Sequence, residues 1–284
     1  MIDKLSGDPA CGDTLRQIYD EVEFLSIKHT SYFQTYEILF SKFQGRDFTF
    51  VEIGVLNGGS LFMWRKYLGP KARIIGIDLN PAAKKWESYG FEIYIGDQSD
   101  ANFWMEFFKQ IGKVDIVLDD GGHTNAQQVS TVASCIDNIR DGGLLVVEDV
   151  HCSYMTEFGN PSAYSFISFA KKLIDHVNAR SPLVPGGRAM YSGSLFSVRF
   201  FESIVAFEIN RSSCGDVRPT TNGGTSSGAI DFRYNDKITS IVQEIDGKLQ
   251  PLAKVPLLWR LTRATPHLLG IIARLKSRKM KHLF

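Results

Sequence analysis

Two acidic clusters stand at the ends of apolar runs in this chain. The first is Asp119-Asp120-Gly121-Gly122-His123, after the run 114–118, and the second is Glu148-Asp149, after the run 144–147. Short apolar runs are typical of buried strands in a parallel sheet, and open α/β sheets bind ligands at the carboxyl ends of their strands. The spacing therefore predicts that carboxylates and one imidazole face a common crevice. Such a group could hold a divalent cation through oxygen ligands, with a base beside it.

Strand-like runs and helical periodicity alternate along most of the chain. The expected strands, besides the two before the acidic clusters, cover 48–53, 72–78, 91–95, 195–199 and 204–209. The expected helices cover 13–43, 61–67, 101–111, 124–138 and 162–177. This order predicts an α/β fold with a doubly wound, mostly parallel, Rossmann-like sheet that ends in an antiparallel hairpin.

Composition divides the chain of 284 residues, whose net charge is only +1, into four expected regions. Residues 1–45 form an N-terminal helical cap, and 46–210 form the ligand-binding catalytic domain. Residues 211–250 form a mobile loop and linker, because 211–229 are rich in Ser, Thr and Gly. Residues 251–284 carry eight Lys or Arg and no acid, and they predict a basic helical extension with a break at Pro266.

The loop after the first expected strand predicts a nucleotide-like cofactor. Its sequence, Glu52-Ile-Gly-Val-Leu-Asn-Gly-Gly-Ser60, has Leu56 where a dinucleotide motif has the glycine that lets the backbone approach a pyrophosphate. NAD and FAD are therefore disfavoured. Asp78 and Asp97 end the next two strands and could contact a ribose or an adenine. A cofactor with adenosine and no phosphate, S-adenosylmethionine, suits the pattern. The alternative is a tight turn beside solvated acids.

Cysteine usage and hydropathy favour a cytoplasmic protein. The four cysteines are scattered and form no Cys-x-x-Cys pair, which is compatible with a reducing compartment. Met1-Ile2-Asp3-Lys4 lacks the pattern of a signal peptide, and no apolar run approaches the roughly 18 residues that span a bilayer.

On these motifs the sequence resembles the class I S-adenosylmethionine-dependent methyltransferases. Within that class it is similar to the metal-dependent sugar O-methyltransferases of macrolide biosynthesis. The resemblance runs from about Lys28-His29-Thr30-Ser31-Tyr32 to about Ile209. Its motifs are Glu-Ile-Gly-Val-x-x-Gly-Gly-Ser (52–60), Met63-Trp64-Arg65, Gly76-Ile77-Asp78, Gly96-Asp97-Gln98, Asp-Asp-Gly-Gly-His (119–123) and Glu148-Asp149.

The resemblance implies a role for each cluster. Asp120, Glu148 and Asp149 would hold Mg²⁺, which lowers the pKa of a chelated sugar hydroxyl, and His123 would be the general base. The residues expected to bind the cofactor are Glu52, Gly54, Gly58, Ser60, Asp78, Asp97 and Asp119. Two departures stand out. Relatives often have an acid before the lysine where this chain has Ser26-Ile27-Lys28, and the chain beyond 215 has no recognised counterpart.

Several alternatives stay open for the acidic clusters. The acids could cap helices at strand–loop junctions, and His151 is a weaker alternative base. A metal-independent O-methyltransferase of phenolic or other small acceptors and a non-catalytic S-adenosylmethionine-binding protein are the rival functions. A non-haem iron oxygenase would need two histidines and one carboxylate, and only His123 is well placed for that in the sequence.

The expected partners follow from the acceptor chemistry and from the tail. The acceptor is a small molecule or glycan: a glycosylated natural product or a polysaccharide precursor. We expect a homo-oligomer and no nucleic-acid partner. The basic tail, with its interleaved Leu and Ile, could either pack on protein or contact an anionic membrane surface.

Overall fold

The computed structural model describes residues 13–159, 161–181, 184, 189–215, 217–225, 227, 236–249, 251 and 264–283. The chain divides into two compact units, Met1–Pro219 and Thr220–Phe284. Within the expected cap over 1–45, residues 1–12 lie outside the described residues, as do 252–263 of the expected tail over 251–284.

The first unit is built on one sheet whose seven described strands run in the order β3-β2-β1-β4-β5-β7-β6. The strands are β1 Phe48–Ile53, β2 Ala72–Asp78, β3 Glu92–Ile95, β4 Val114–Asp119, β5 Ile139–Val147, β6 Leu195–Phe201 and β7 Ile204–Ile209. Strands β1 to β5 pair in parallel, whereas β7 pairs antiparallel with both β5 and β6. The predicted doubly wound sheet with a terminal hairpin is confirmed.

Helices cover both faces of this sheet. They are α1 Asp13–Glu21, α2 Tyr32–Phe40, α3 Gly59–Leu68, α4 Ala101–Ile111, α5 Asn125–Cys135 and α6 Phe166–Asn178. Alternate strand residues point to opposite faces, which gives two cores. Phe50 and Leu118 pack with α2 and α3, whereas Val117 and Leu145 pack with α4, α5 and α6. The chain order reverses between β1 and β4, so their carboxyl ends form the crevice where such sheets bind ligands.

The expected helical region over 13–43 contains two α-helices, but its middle is not helical. Residues 22–31 separate α1 from α2 and contain no α-helix. The Tyr19 hydroxyl donates to the carbonyl oxygen of Ser26 at 2.8 Å, and a Cβ on Gly59 would lie 2.1 Å from the carbonyl oxygen of Phe24. The main chain of this connector therefore packs tightly on the start of α3. Helical periodicity in both flanking segments concealed the break.

The second unit contains two described helices, α7 Lys237–Leu249 and α8 Ala264–Arg278. The structure thus places a helix in the second half of 211–250, which was expected as loop and linker. Ile238, Ile241, Val242 and Ile245 give that stretch a helical repeat. Helix α8 begins two residues before Pro266, so the proline lies in its first turn, where a missing N–H is tolerated. No helix in the described ranges is long and apolar enough to cross a membrane.

Candidate functional site

The loop after β1 is held against the loop after β4 by a main-chain contact that only glycine allows. Gly54 has a φ of +88°, and a Cβ there would lie 2.0 Å from the carbonyl oxygen of Asp120. Asp78, at the end of β2, fixes the same loop from the other side. Its Oδ2 accepts the backbone N–H groups of Val55 at 2.9 Å and Leu56 at 3.0 Å. The carboxyl ends of three neighbouring strands are thereby joined.

A cavity of about 700 Å³ lies over these strand ends. Its size is within the range usual for small-molecule sites. The predicted site residues that line it are Gly54, Ser60, Asp78, Asp97, Asp120, His123 and Asp149. Asp97 accepts both the N–H and the hydroxyl of Ser99, and these hydrogen bonds lower the pKa of its carboxyl. One cavity therefore joins the expected cofactor end to the expected reaction end.

Glu52 does not line this cavity. It is fully buried, and its carboxylate accepts the hydroxyl of Ser60 at 2.9 Å and the indole N–H of Trp64 at 3.0 Å. Burial raises its pKa to about 7. Ser60 does line the cavity, and the buried Glu52 carboxylate fixes the Ser60 side chain through this hydrogen bond. Gly58 does not line the cavity either. Its φ is +80°, and a Cβ there would lie 2.4 Å from the ring of Trp86.

Asp119 does not line the cavity, and its carboxylate accepts hydrogen bonds from the Gln98 side chain. Both its oxygens accept the Gln98 side-chain N–H₂, at 2.9 and 3.1 Å, and burial raises the pKa of its carboxyl. The Gln98 Oε1 in turn accepts the N–H of Gly122 at 2.9 Å. Asp119 thus orders the loop after β4 and does not itself line the cavity.

Asp120, His123 and Asp149 form the acidic end of the cavity. One ligand atom from each lies within 4.8 Å of the others. The His123 Nε2 is 3.3 Å from Asp149 Oδ2 and 3.9 Å from Asp120 Oδ1. His123 and Asp149 have φ values of +57° and +53°, a left-handed conformation that is uncommon outside glycine. The backbone thus aims both side chains at one point.

Glu148, the third carboxylate expected there, is not part of this group and does not line the cavity. It is fully buried and accepts the Tyr36 hydroxyl at 2.6 Å and the Lys28 ammonium at 3.0 Å. Lys28, itself 1% exposed, lies 2.5 Å from Asp120 Oδ2. Burial lowers the pKa of Lys28, but the charges of Asp120 and Glu148 outweigh burial and raise it above its ordinary value. Sequence reasoning gave Lys28 no role, although it named the segment that carries it.

Without Glu148, the group of Asp120, His123 and Asp149 still offers two carboxylates that could bind Mg²⁺. Asp120 and Asp149 each keep about a fifth of their side-chain surface exposed toward the cavity. Mg²⁺ is commonly held by one or two carboxylates, with water or substrate oxygens at its other positions. The His123 Nδ1 is buried without a hydrogen-bond partner in the described part of the chain. Asp120 and Asp149 would therefore hold the ion, and Glu148 would stabilise Lys28 instead.

Two more histidines gather on the outer side of Asp149. Its Oδ1 lies 3.7 Å from His29 Nε2 and 3.9 Å from His151 Nδ1, and it also accepts the Tyr32 hydroxyl. The expectation that only His123 is well placed beside a carboxylate is therefore wrong. His29 was missed because residues 22–31 were expected to be helical, and a helix gives no reason to bring that residue to the strand ends.

The fold is that of the class I methyltransferases, and the chain is similar to known methyltransferases. Residues 51–150 match the family model of a methyltransferase domain. The chain is 31% identical over 198 residues to the 8-demethyl-8-alpha-L-rhamnosyl tetracenomycin-C 2'-O-methyltransferase of Streptomyces olivaceus, covering 66% of this chain and 52% of the relative. It is 34% identical over 158 residues to the mycinamicin VI 2''-O-methyltransferase of Micromonospora griseorubida, covering 50% of this chain and 38% of the relative.

A solved structure supports the same fold. The MycE methyltransferase of the mycinamicin biosynthetic pathway, in complex with Mg, SAH and mycinamicin VI, superposes with a TM-score of 0.63 at 23% identity. The superposition covers 83% of this chain and 59% of that one. The resemblance to the sugar O-methyltransferases of macrolide biosynthesis is therefore confirmed. The chain spans about half the length of the curated relatives it matches.

Proposed function

We propose that this chain is an S-adenosylmethionine-dependent O-methyltransferase that acts on a sugar hydroxyl of a glycosylated natural product or polysaccharide precursor. The observation that carries the proposal is the single cavity that joins the loop between Gly54 and Ser60 to the group Asp120, His123 and Asp149. The relatives named as sugar O-methyltransferases and the Mg and SAH in the superposed structure support it.

At the cofactor end, the chain offers hydrogen-bonding groups where adenosine and methionine would lie. Asp78 and Asp97 line the cavity at the ends of β2 and β3 and can accept hydroxyl or amino protons. The Ser60 hydroxyl faces the cavity from the first turn of α3 and donates to Glu52. No phosphate-binding backbone is needed for such a ligand, which agrees with Leu56 in the place of the second glycine of a dinucleotide loop.

At the reaction end, the residues position an acceptor oxygen and take its proton. When bound, S-adenosylmethionine supplies the methyl group and Mg²⁺ lowers the pKa of the acceptor hydroxyl. Asp120 and Asp149 would hold the ion, and the His123 Nε2 would accept the hydroxyl proton beside them. The buried Lys28–Glu148 pair leaves the exposed oxygens of Asp120 and Asp149 facing the cavity. Most of the rate would come from aligning the oxygen with the methyl group.

Calorimetry and single-turnover kinetics test the proposal. The protein should bind S-adenosylmethionine or its demethylated product with micromolar affinity, about −8 kcal/mol. His123→Ala should slow the chemical step about 10²–10⁴-fold while cofactor binding stays near that of the wild type. His176→Ala is the matched control, because that imidazole stacks on Tyr191 outside the residues that line the cavity. Absence of binding, or an equal effect of both variants, would refute the assignment.

A metal-independent O-methyltransferase of small acceptors is the second candidate, and Lys28 is the observation that favours it. Its ammonium already lies within the acidic group, 2.5 Å from Asp120, and could replace an ion in balancing charge. Metal-stripped protein in excess EDTA distinguishes the two. Activity that is lost and returns with Mg²⁺ or Mn²⁺ supports the metal-assisted reaction, whereas full turnover in EDTA supports the second candidate.

We also propose that the basic tail contacts an anionic surface and that the protein forms homo-oligomers. Helix α8 exposes Leu268, Ile271 and Leu275 along one stripe, with basic residues in its last turn. Co-sedimentation with anionic and with neutral vesicles tests the first part, and light scattering tests the second. Equal binding to both kinds of vesicle would exclude the electrostatic contact.

A further inference from the structure

We propose that His29, Asp149 and His151 form a second divalent-cation site, which prefers an imidazole-binding ion such as Zn²⁺ or Co²⁺ and shares Asp149 with the acidic end of the cavity. One ligand atom from each of these residues lies within 4.8 Å of the others. Two imidazoles and one carboxylate suit transition metals, whereas Mg²⁺ prefers oxygen ligands alone.

The two oxygens of Asp149 face different groups, which is the geometry of a bridging carboxylate. Oδ2 lies 3.3 Å from the His123 Nε2, inside the cavity. Oδ1 lies 3.7 Å from His29 Nε2 and 3.9 Å from His151 Nδ1, on the outer side. A carboxylate oxygen has more than one lone pair, so the Tyr32 hydroxyl can stay bonded to Oδ1 when an ion binds there. The two ligand sets are therefore separate except for this one side chain.

The fold holds both imidazoles in place before any ion binds. The Ser203 hydroxyl contacts the His151 Nδ1 at 2.8 Å, and the Ser203 carbonyl accepts the N–H of Val150 at 3.1 Å. The rings of His29 and His151 are 5.3 Å apart, nearly perpendicular, and the ring of Tyr32 lies 5.1 Å from that of His29. An ion bound at the His151 Nδ1 would replace the contact of that atom with the Ser203 hydroxyl, while the ring contacts keep both imidazoles oriented.

Accessibility and charge also favour an ion at this place. His29 keeps 60% of its side-chain surface exposed and His151 keeps 40%, so an ion can enter from solvent. Burial raises the pKa of Glu148, so the negative charge at this place comes chiefly from Asp120 and Asp149, with the Lys28 ammonium beside Asp120. The group therefore has a net negative charge, which a divalent cation would balance.

Co²⁺ is the probe, because its visible absorption reports its ligands directly and needs neither cofactor nor acceptor. Metal-stripped full-length protein is titrated with Co²⁺ and followed by absorption and calorimetry, for wild type, His29→Ala, His151→Ala and Asp120→Asn. His267→Ala is the control, since this exposed histidine lies on α8. We expect each alanine variant at the site to lower Co²⁺ affinity at least about 10-fold, while Asp120→Asn and His267→Ala keep it.

Two outcomes of this titration would overturn the proposal. Unchanged affinity in both His29→Ala and His151→Ala would show that the cluster is no ligand set. An equal loss in Asp120→Asn would show one site rather than two. Circular dichroism checks the fold of every variant, and His29→Gln and His151→Gln repeat the test if an alanine variant unfolds. Because no methyl transfer is measured, the result is independent of the proposed function.

Discussion

The buried carboxyl of Glu52 should make the stability of the first unit depend on pH, and Glu52→Gln should remove that dependence. Burial raises the pKa of Glu52 from its ordinary value of 4.5 to about 7 in the folded protein. Below pH 4.5 the carboxyl is protonated in both states and adds no dependence. Between these values folding takes up a proton, so stability falls as pH rises. Above about pH 7 the carboxylate is ionised in both states, and the full destabilisation is present.

The size of the effect follows from the same two values. Their difference corresponds to about 3 kcal/mol at 1.36 kcal/mol per pKa unit. Glutamine is a suitable replacement, because its Oε1 can accept the Trp64 indole N–H and its N–H₂ can donate to the Ser60 hydroxyl. We therefore expect Glu52→Gln and wild type to have similar stability near pH 4.5. Near pH 8 the variant should be more stable by up to about 3 kcal/mol.

Urea denaturation between pH 4.5 and 8, followed by circular dichroism, measures this difference. Other buried acids also contribute to the pH dependence of the wild type, and subtracting the variant removes their contribution. Glu92→Gln is the control, since that carboxylate is half-exposed and pairs with Arg73. A wild-type-minus-variant difference that is constant with pH would refute the reasoning, because it would mean that Glu52 titrates alike in the folded and unfolded chain.

Three further substitutions test the positioning of the cavity. Lys28→Met should lower the free energy of unfolding in urea by about 3–5 kcal/mol, because it leaves buried carboxylates without a partner, and adding Glu148→Gln should restore part of the loss. Gly54→Ala should abolish cofactor binding by calorimetry, since its Cβ would overlap a carbonyl oxygen at 2.0 Å; Gly90→Ala, with a φ of +84° and open space, should show the backbone strain alone. Asp78→Asn should weaken cofactor binding by about 1.5–3 kcal/mol, and unchanged affinity would exclude it as an acceptor.

Strand alternation explains why Glu52 and Glu148 are buried, but it does not place every acid. The motifs predicted acids at the carboxyl ends of β2, β4 and β5, where the structure has them, whereas Glu52 lies within β1. Residues that alternate along a strand face opposite sides of the sheet. Glu52 continues the face of Phe50, and Glu148 continues the face of Val146, so both point to the core under α2 and α3. Alternation alone does not separate these buried acids from those that line the cavity, because Asp120 continues the face of Leu118 in the same core and yet lines the cavity.

The sequence pattern of residues 22–31 could not predict that this segment contributes side chains to the acidic end of the cavity. Lys28 reaches Glu148 across 120 positions of sequence, and His29 reaches Asp149 across a similar distance. These contacts exist because the connector between α1 and α2 lies over the carboxyl ends of β4 and β5. Such a path depends on tertiary packing, here the close approach of Phe24 and Leu25 to Gly59, and not on the propensity of the segment.

The left-handed backbone at His123 and Asp149 links the fold to the chemistry. Two neighbouring strands end in loops where non-glycine residues adopt a conformation that L-residues disfavour by about 1–2 kcal/mol. Hydrogen bonds on either side hold Asp149 there: the N–H of Glu148 donates to the Asp119 carbonyl at 2.9 Å, and the N–H of Asp149 itself donates to the Tyr32 hydroxyl at 3.2 Å. Strain that a fold maintains at two converging side chains is typical of functional sites. The left-handed conformation at both residues therefore supports the proposed site, in which the two side chains would act on the same ligand.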